Sequence, residues 1–402
     1  MFRRVITNSE ADCKPSPSME EILREEIARC GPLPCARFME LALYHPEHGY
    51  YERNRAAVGQ RGDFYTSVSV GELFGQLLAF QFAEWLTELG TRNAERGMAD
   101  APLQVVEAGA HDGQLAEDIL LWLRKRRPDL MDRVEYWILD PSERRQEWQR
   151  GRLSMFGSRV RWFANWGEVQ QAGGVTGVIF ANELLDAFPV HRLAWSAAEQ
   201  RWFEWGVRSM GERFIWTRLP ELHANVAALA QPSAALGNLD EALRESSWAS
   251  LAPVLPDGFI LELAPFAELW WNIAAQSLRA GKLLTFDYGH TTGEVINPTK
   301  PAGTLRAYRD HQLVDDILAA PGTQDITAHV SFAVITHAGE RAGLATTELT
   351  EQSRFLTRIA QRTMQQPAAF GEWTRERGRQ FQTLAHPDHL GRSFSALLQE
   401  RA

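Results

Sequence analysis

The apolar run Leu103-Gln104-Val105-Val106 leads directly into Glu107-Ala108-Gly109-Ala110-His111-Asp112-Gly113. A strand that ends in a carboxylate, turns on glycine and opens a helix brings free helix N–H groups to a strand's carboxyl end, where open parallel sheets hold ligands. Glu107 can bind a ligand amine or orient the loop. A second run, Glu135-Tyr136-Trp137-Ile138-Leu139, ends in Asp140, 27 residues beyond Gly113. That is a loop–helix–strand distance, and an acid there can accept both hydroxyls of a ribose. A third run, Gly177-Val178-Ile179-Phe180-Ala181, is followed by Asn182-Glu183-Leu184-Leu185-Asp186. Two carboxylates and an amide at the same sheet edge suit a cationic substrate such as a guanidinium, held by bidentate hydrogen bonds. Gly62-Asp63-Phe64-Tyr65-Thr66-Ser67 lies in a long polar loop over 52–71 and reads as a lid. Asp287-Tyr288-Gly289-His290 ends a further apolar strand, with Tyr288 placed to line a channel. Taken singly, each motif also reads as a plain turn or a helix cap.

These residues need elements that bring strand ends together. From 103 to 190 apolar strands alternate with helix-like stretches at 113–126 and 142–154. That alternation predicts an α/β fold, a mostly parallel sheet with helices on both faces. Residues 1–17 read as a flexible tail, and 18–102 as a helical and lid segment. Ser18 with Glu21 three residues later predicts the first helix start. The stretch 191–257 breaks the alternation and reads as an insertion. Phe259-Ile260-Leu261-Glu262-Leu263 reads as its resumption, so the main domain covers 103–360, and 361–402 reads as a C-terminal helical extension.

Composition narrows the function classes. With 42 basic and 51 acidic residues the chain carries −9, which argues against a nucleic-acid coat. The segment 351–402, with eight Arg and five acidic residues, is a solvated face. Lys282 after Gly281 lacks the glycine spacing and hydroxyl of a phosphate loop, and G-x-G-x-x-G is absent, which disfavours a nicotinamide dehydrogenase. Cys13, Cys30 and Cys35 form neither a disulfide framework nor a zinc set. No 18-residue apolar run predicts a membrane span. The cytosol is the expected location, with the mitochondrial matrix as the alternative; oligomeric state is left open.

The ordered motifs resemble the MidA / mitochondrial complex I assembly factor 7 family of class I S-adenosylmethionine-dependent methyltransferases, over nearly all of 20–360. Leu43-Tyr44-His45-Pro46, Gly49-Tyr50-Tyr51, Gly62-Asp63-Phe64 with Thr66-Ser67, Asp140-Pro141-Ser142, Asn182 through Val190, Asp287-Tyr288-Gly289, Gly303-Thr304-Leu305-Arg306 and Asp325-Ile326-Thr327 follow the family's order. The resemblance implies a Rossmann-like fold with an added N-terminal helical segment and S-adenosyl-L-methionine as cofactor. It implies that Glu107, Gly109, Ala110, Asp112 and Gly113 hold the cofactor's methionine end, that Asp140 and Ser142 stand at the ribose, and that Gly62, Asp63 and Thr66 close over the site. Asn182, Glu183 and Asp186 would face the acceptor, a protein arginine on a flexible segment, with Glu183 orienting or deprotonating it. One departure stands out: His111 occupies the place of the family loop's middle glycine. Either the loop takes another path, with Asp112 accepting from the cofactor amine, or binding is weakened or lost. The second outcome would leave a catalytically silent binding or assembly protein.

Overall fold

The computed structural model describes residues 17–53, 66–97, 101–222, 254–290, 299–310, 312–386, 389–391 and 393–402. Gly62, Asp63, nearly all of the expected tail and the later part of the expected insertion lie outside the described residues.

The chain enters through α1 (Met19–Cys30), which opens with the capping box its sequence predicts: the Ser18 hydroxyl accepts from Glu21 N and the Glu21 carboxylate accepts from Ser18 N. Next come β1 (Leu33–Pro34), α2 (Cys35–Tyr44), α3 (Tyr50–Arg53) and the long α4 (Leu73–Glu95). The alternating part follows: β2 (Leu103–Ala108), α5 (Gln114–Arg126), β3 (Val134–Leu139), α6 (Glu143–Leu153), β4 (Val160–Phe163), α7 (Trp166–Gln171) and β5 (Val175–Asn182). Then β6 (His191–Ser196), β7 (Arg201–Met210), β8 (Arg213–Arg218) and β9 (Ile260–Leu263) precede α8 (Pro265–Ser277) and β10 (Leu278–His290). The rest comprises β11 (Arg306–Arg309), β12 (Gln312–Val314), β13 (Asp325–Thr327), β14 (Val330–Ser331), α9 (Phe332–Arg341), β15 (Ala345–Glu351), α10 (Gln352–Gln365), α11 (Arg375–Ala385) and β16 (Phe394–Arg401).

The main sheet runs β15-β16-β10-β5-β2-β3-β4, with β14 beside β10. Its pairs from β4 to β10 are parallel, and β16 is antiparallel to both neighbours. Every residue of β2 is buried, as a central strand covered on both faces requires. Helices α4, α5 and α10 pack on one face, where Phe74 meets Phe286 at 5.5 Å and Phe82 meets Phe180 at 5.1 Å between ring centroids. Helices α7, α8 and α9 cover the other.

Two expectations are corrected. The run at 259–263 does not resume the parallel sheet: β9 pairs antiparallel with β6 in a second sheet, β1-β7-β6-β9 with β8 on β7. Its burial alternates, half-buried then buried, which marks a strand covered on one face rather than two. Nor is 361–402 a helical extension. After α11, β16 enters the main sheet between β15 and β10, buried from Phe394 to Gln399, so the sheet reaches 401. A short apolar run such as Phe394–Leu398 carries no periodicity that separates buried strand from buried helix. The expected insertion and the N-terminal segment share one layer, since Leu33 of β1 pairs with Val207 of β7.

Candidate functional site

Strand β2 has β3 on one side and β5 on the other, so its neighbours' connections diverge at its carboxyl end and leave a crevice. A cavity of about 590 Å³ occupies that crevice, within the ~300–1,000 Å³ of small-molecule sites. Among the residues it brings to the cavity wall are Thr66, Glu107, Gly109, Ala110, Asp112, Asn182, Glu183 and Asp186.

At one end lies the β2–α5 loop. Gly109 has φ 72, and a Cβ there would stand 2.8 Å from Leu184 Cδ1, so a side chain would be strained and would have to displace Leu184. His111 adopts φ 45, the left-handed backbone that glycine takes without strain. The loop therefore makes the turn with a side chain present, and the imidazole leans toward Trp148, 6.2 Å away between ring centroids. Asp112 Oδ1 accepts from Gln114 N at 3.2 Å and Oδ2 pairs with Arg152 at 2.5 Å. Burial would raise its carboxyl, but His111 and Arg152 prevail and hold it at about 2. Both Asp112 oxygens thus have protein partners, one at the start of α5 and one on α6. Gly113, φ 85, N-caps α5 and faces Gln149 and Leu153 rather than the cavity. Glu107 is buried, and its Oε2 accepts a 2.5 Å hydrogen bond from the Tyr136 hydroxyl. Burial pushes its carboxyl up to about 8, with the Tyr136 bond opposing. Oε1 has no partner among the described residues.

The structure does not bring Asp140 to the cavity. It is fully buried, and its carboxylate accepts from Arg145 Nε and Nη2, Gln149 Nε2 and Ser142 N at 2.7–3.0 Å. Arg145 stands in the cavity wall instead and reaches Glu52 of α3 at 2.6 Å. Ser142 is likewise away from the wall: it caps α6, accepting from Arg145 N, and its hydroxyl donates to Glu52 at 2.6 Å. No sequence signal marked Arg145 or Glu52.

At the other end, β5 runs into Asn182 and Glu183, the latter strained at φ 52. Glu183 Oε1 accepts from Ser67 N and Asn182 Nδ2, each at 3.1 Å. Asn182 Oδ1 is buried with no partner among the described residues. Burial pushes Glu183 up to about 8. Asp186 is pushed well above the ordinary carboxylate range by burial and by Asp287, Asp325 and Glu183. Asp287 accepts from the backbone N–H groups of Leu184, Leu185 and Tyr288, and burial still raises it to about 7. Tyr288 does not line the cavity: its ring packs on Phe394 at 3.9 Å, because β16 lies beside β10. Tyr44, Tyr51 and Asp325 complete this wall. Their family motifs were visible in the sequence, but no role attached to them.

The profile of a family of S-adenosyl-L-methionine-dependent methyltransferases matches residues 77–350. The chain belongs to this family. Among curated relatives, the protein arginine methyltransferase NDUFAF7 homolog of Drosophila melanogaster is 27% identical over 370 residues, 85% of this chain and 75% of that one. The human mitochondrial NDUFAF7 is 29% identical over 351 residues, 82% and 70% of the two chains. A Burkholderia thailandensis protein crystallised with S-adenosyl-homocysteine is 28% identical with a TM-score of 0.76, covering 95% of this chain and 92% of that one. The protein is an S-adenosylmethionine-dependent methyltransferase. The cavity fits that cofactor on its own terms: a Cβ at Gly109 would press on Leu184 at the cavity wall, and Glu107 Oε1 offers a buried carboxylate to an amine.

Proposed function

We propose that this methyltransferase modifies a protein arginine at the Glu183 end of the cavity. The observation that carries the reading is Asn182 Oδ1, a buried acceptor without a donor beside a carboxylate whose Oε1 is already held. Such a pair is costly until a donor-rich cation enters. A guanidinium has five N–H donors in a fixed fork and no acceptor, which matches an amide oxygen flanked by carboxylates. Both curated relatives carry arginine methyltransferase names, which supports the same acceptor. They are also named as mitochondrial, so the expected cytosolic location gains no support from them.

When bound, S-adenosylmethionine supplies an electrophilic methyl whose carbon–sulfur bond breaks with both electrons left on sulfur as nitrogen bonds to carbon. Glu107 and the Gly109–Ala110 backbone would hold the methionine end. Glu183 is held by Ser67 N and Asn182, so its carboxylate is fixed before substrate arrives. An arriving guanidinium favours the ionised carboxylate, and Glu183 then takes the proton that leaves the methylated nitrogen. A group raised to about 8 is well matched to that task near neutral pH.

Glu183→Gln keeps the shape and removes the base. Methyl transfer to a Gly-Arg-Gly peptide should fall about 10²-fold in kcat, with S-adenosyl-homocysteine affinity unchanged by calorimetry. Full turnover in the variant, or label appearing on a small phenol instead of arginine, defeats the reading.

A further inference from the structure

The residue that holds Glu183 is itself held from the far end of the chain. Ser67 N donates to Glu183 Oε1 at 3.1 Å, and the Ser67 hydroxyl donates to Gln352 Oε1 at 3.2 Å. Gln352 opens α10, and its Nε2 donates to Leu384 O of α11 at 3.4 Å. Ser67 and Gln352 are fully buried, so each of these polar atoms is costly to leave unpaired.

The stretch that carries Ser67 is braced internally: Thr66 N donates to Ser69 Oγ at 3.0 Å and Ser69 N to Thr66 Oγ1 at 3.1 Å. Two C-terminal glutamines fasten it to the body of the protein. One is Gln352; the other is Gln380 of α11, whose Oε1 accepts from Leu73 N at 3.0 Å, where α4 has no side-chain cap of its own. Gln380 packs so closely that a Cβ on Gly71 would stand 2.5 Å from its Nε2. Thr66, Val68, Ser69, Gly71 and Glu72 line the cavity, whereas neither glutamine is among the described lining residues. Both stand behind the wall.

Glu183 depends on that hold. Its backbone is strained at φ 52, and its carboxylate faces Asp186 beyond β5, Asp287 and Tyr288 of β10, and Asp325 of β13. Burial raises its carboxyl most; among the groups that oppose the rise Ser67 N comes first and Asn182 next. An N–H aimed at a carboxylate favours the ionised form, the one that can take a proton. Ser67 N and Oγ belong to one residue, so anchoring the hydroxyl on Gln352 sets the N–H on Glu183.

We infer that Gln352 is a positioning residue which, through Ser67, holds Glu183 in its proton-accepting place, so that the C-terminal helix pair α10 and α11 is part of the acceptor site. The inference rests on the reading of Glu183 given above.

The test measures kcat/KM for an acetylated and amidated Gly-Arg-Gly peptide at saturating S-adenosylmethionine over about pH 6 to 9, which reports groups of the enzyme before the peptide binds. Wild type should show an acid limb. Gln352→Met keeps the length of the side chain and removes both of its hydrogen bonds. Ser67→Ala keeps the backbone N–H and removes only its anchor. Each should move the limb up by about one pH unit, about tenfold in rate below it. Each should also approach wild type at the alkaline end, a recovery that lost folding would not give. The double variant should match the single ones, because the two residues act along one line of contacts. A limb within about 0.3 unit of wild type in either single variant, or shifts that add in the double variant, overturns the positioning role while Glu183 keeps its own. A flat wild-type profile, or wild-type kcat/KM in Glu183→Gln, overturns the reading of Glu183 and the positioning role with it.

Discussion

Replacing Glu107 by Gln separates the two consequences of burying that carboxylate at the end of β2. In the free protein its carboxyl is pushed up to about 8, mainly by burial, with Tyr136 opposing and Asp112 and Asp118 adding to the rise. A cofactor amine requires the ionised form. Below pH 8 each unit of acidity therefore costs binding about 1.4 kcal/mol, or tenfold in affinity, through this one group. Calorimetric titration with S-adenosyl-homocysteine should show affinity falling as pH is lowered from 7.5 to 6. Glu107→Gln should remove about one tenfold step per unit from the slope and weaken binding at pH 7.5 by about 10–100-fold, the loss of a charge-assisted hydrogen bond. Stability moves the other way. A carboxyl raised in the folded state adds stability below its unfolded value, near 4.5, and loses it as pH rises through about 8. Urea unfolding at pH 8 should accordingly find the Gln variant no less stable than wild type. An unchanged pH slope in the variant would refute the assignment of Glu107 to the amine.

Arg145→Met leaves Asp140 and Glu52 buried without their cation. Unfolding free energy should drop by about 3–5 kcal/mol at pH 7.5; a loss under about 1 kcal/mol would mean that the pairs are solvated. Gly109→Ala forces a Cβ to 2.8 Å from Leu184 at φ 72 and should weaken S-adenosyl-homocysteine by about tenfold or more; unchanged affinity in calorimetry would show that Leu184 yields. His111→Gly exchanges about 1 kcal/mol of left-handed strain for a similar cost in unfolded-chain entropy, so melting temperature and cofactor affinity should both stay near wild type. Tightening beyond about tenfold would instead mark the imidazole as crowding the loop.

The strand ends were legible because a buried parallel strand is a nearly unbroken apolar run, and a carboxylate closing it has few structural uses. Glu107 and Glu183 were found that way. Asp140 looked the same, yet its carboxylate is taken up by Arg145 within its own following helix, and nothing in local sequence distinguishes a free acid from one partnered five positions on. Tyr44, Tyr51 and Asp325 meet only through tertiary packing of α2, α3 and β13, so no single window contains their relation. The run of β9 was misread because a short apolar stretch fixes neither its partner nor its direction, and that of β16 because such a stretch carries no periodicity that separates strand from helix.

Strand β16 separates β10 from β15, although β15 precedes it in the chain. During synthesis the crevice strands β2 to β5 and the apolar β10 can assemble in order, each onto an existing neighbour. β15 then emerges with nothing to pair on, and the outer edge of β10 stays open until 394–401 arrives to place Leu284 against Leu398 and Leu349 against Leu397. Closure across that seam is non-local and so intrinsically slow. Meanwhile an unpaired apolar edge is exposed, the kind of template on which chains associate. A ribosome-bound chain halted short of residue 394 would thus present a formed cofactor crevice beside an unprotected edge, which makes this interval the one in which a chaperone has most to shield.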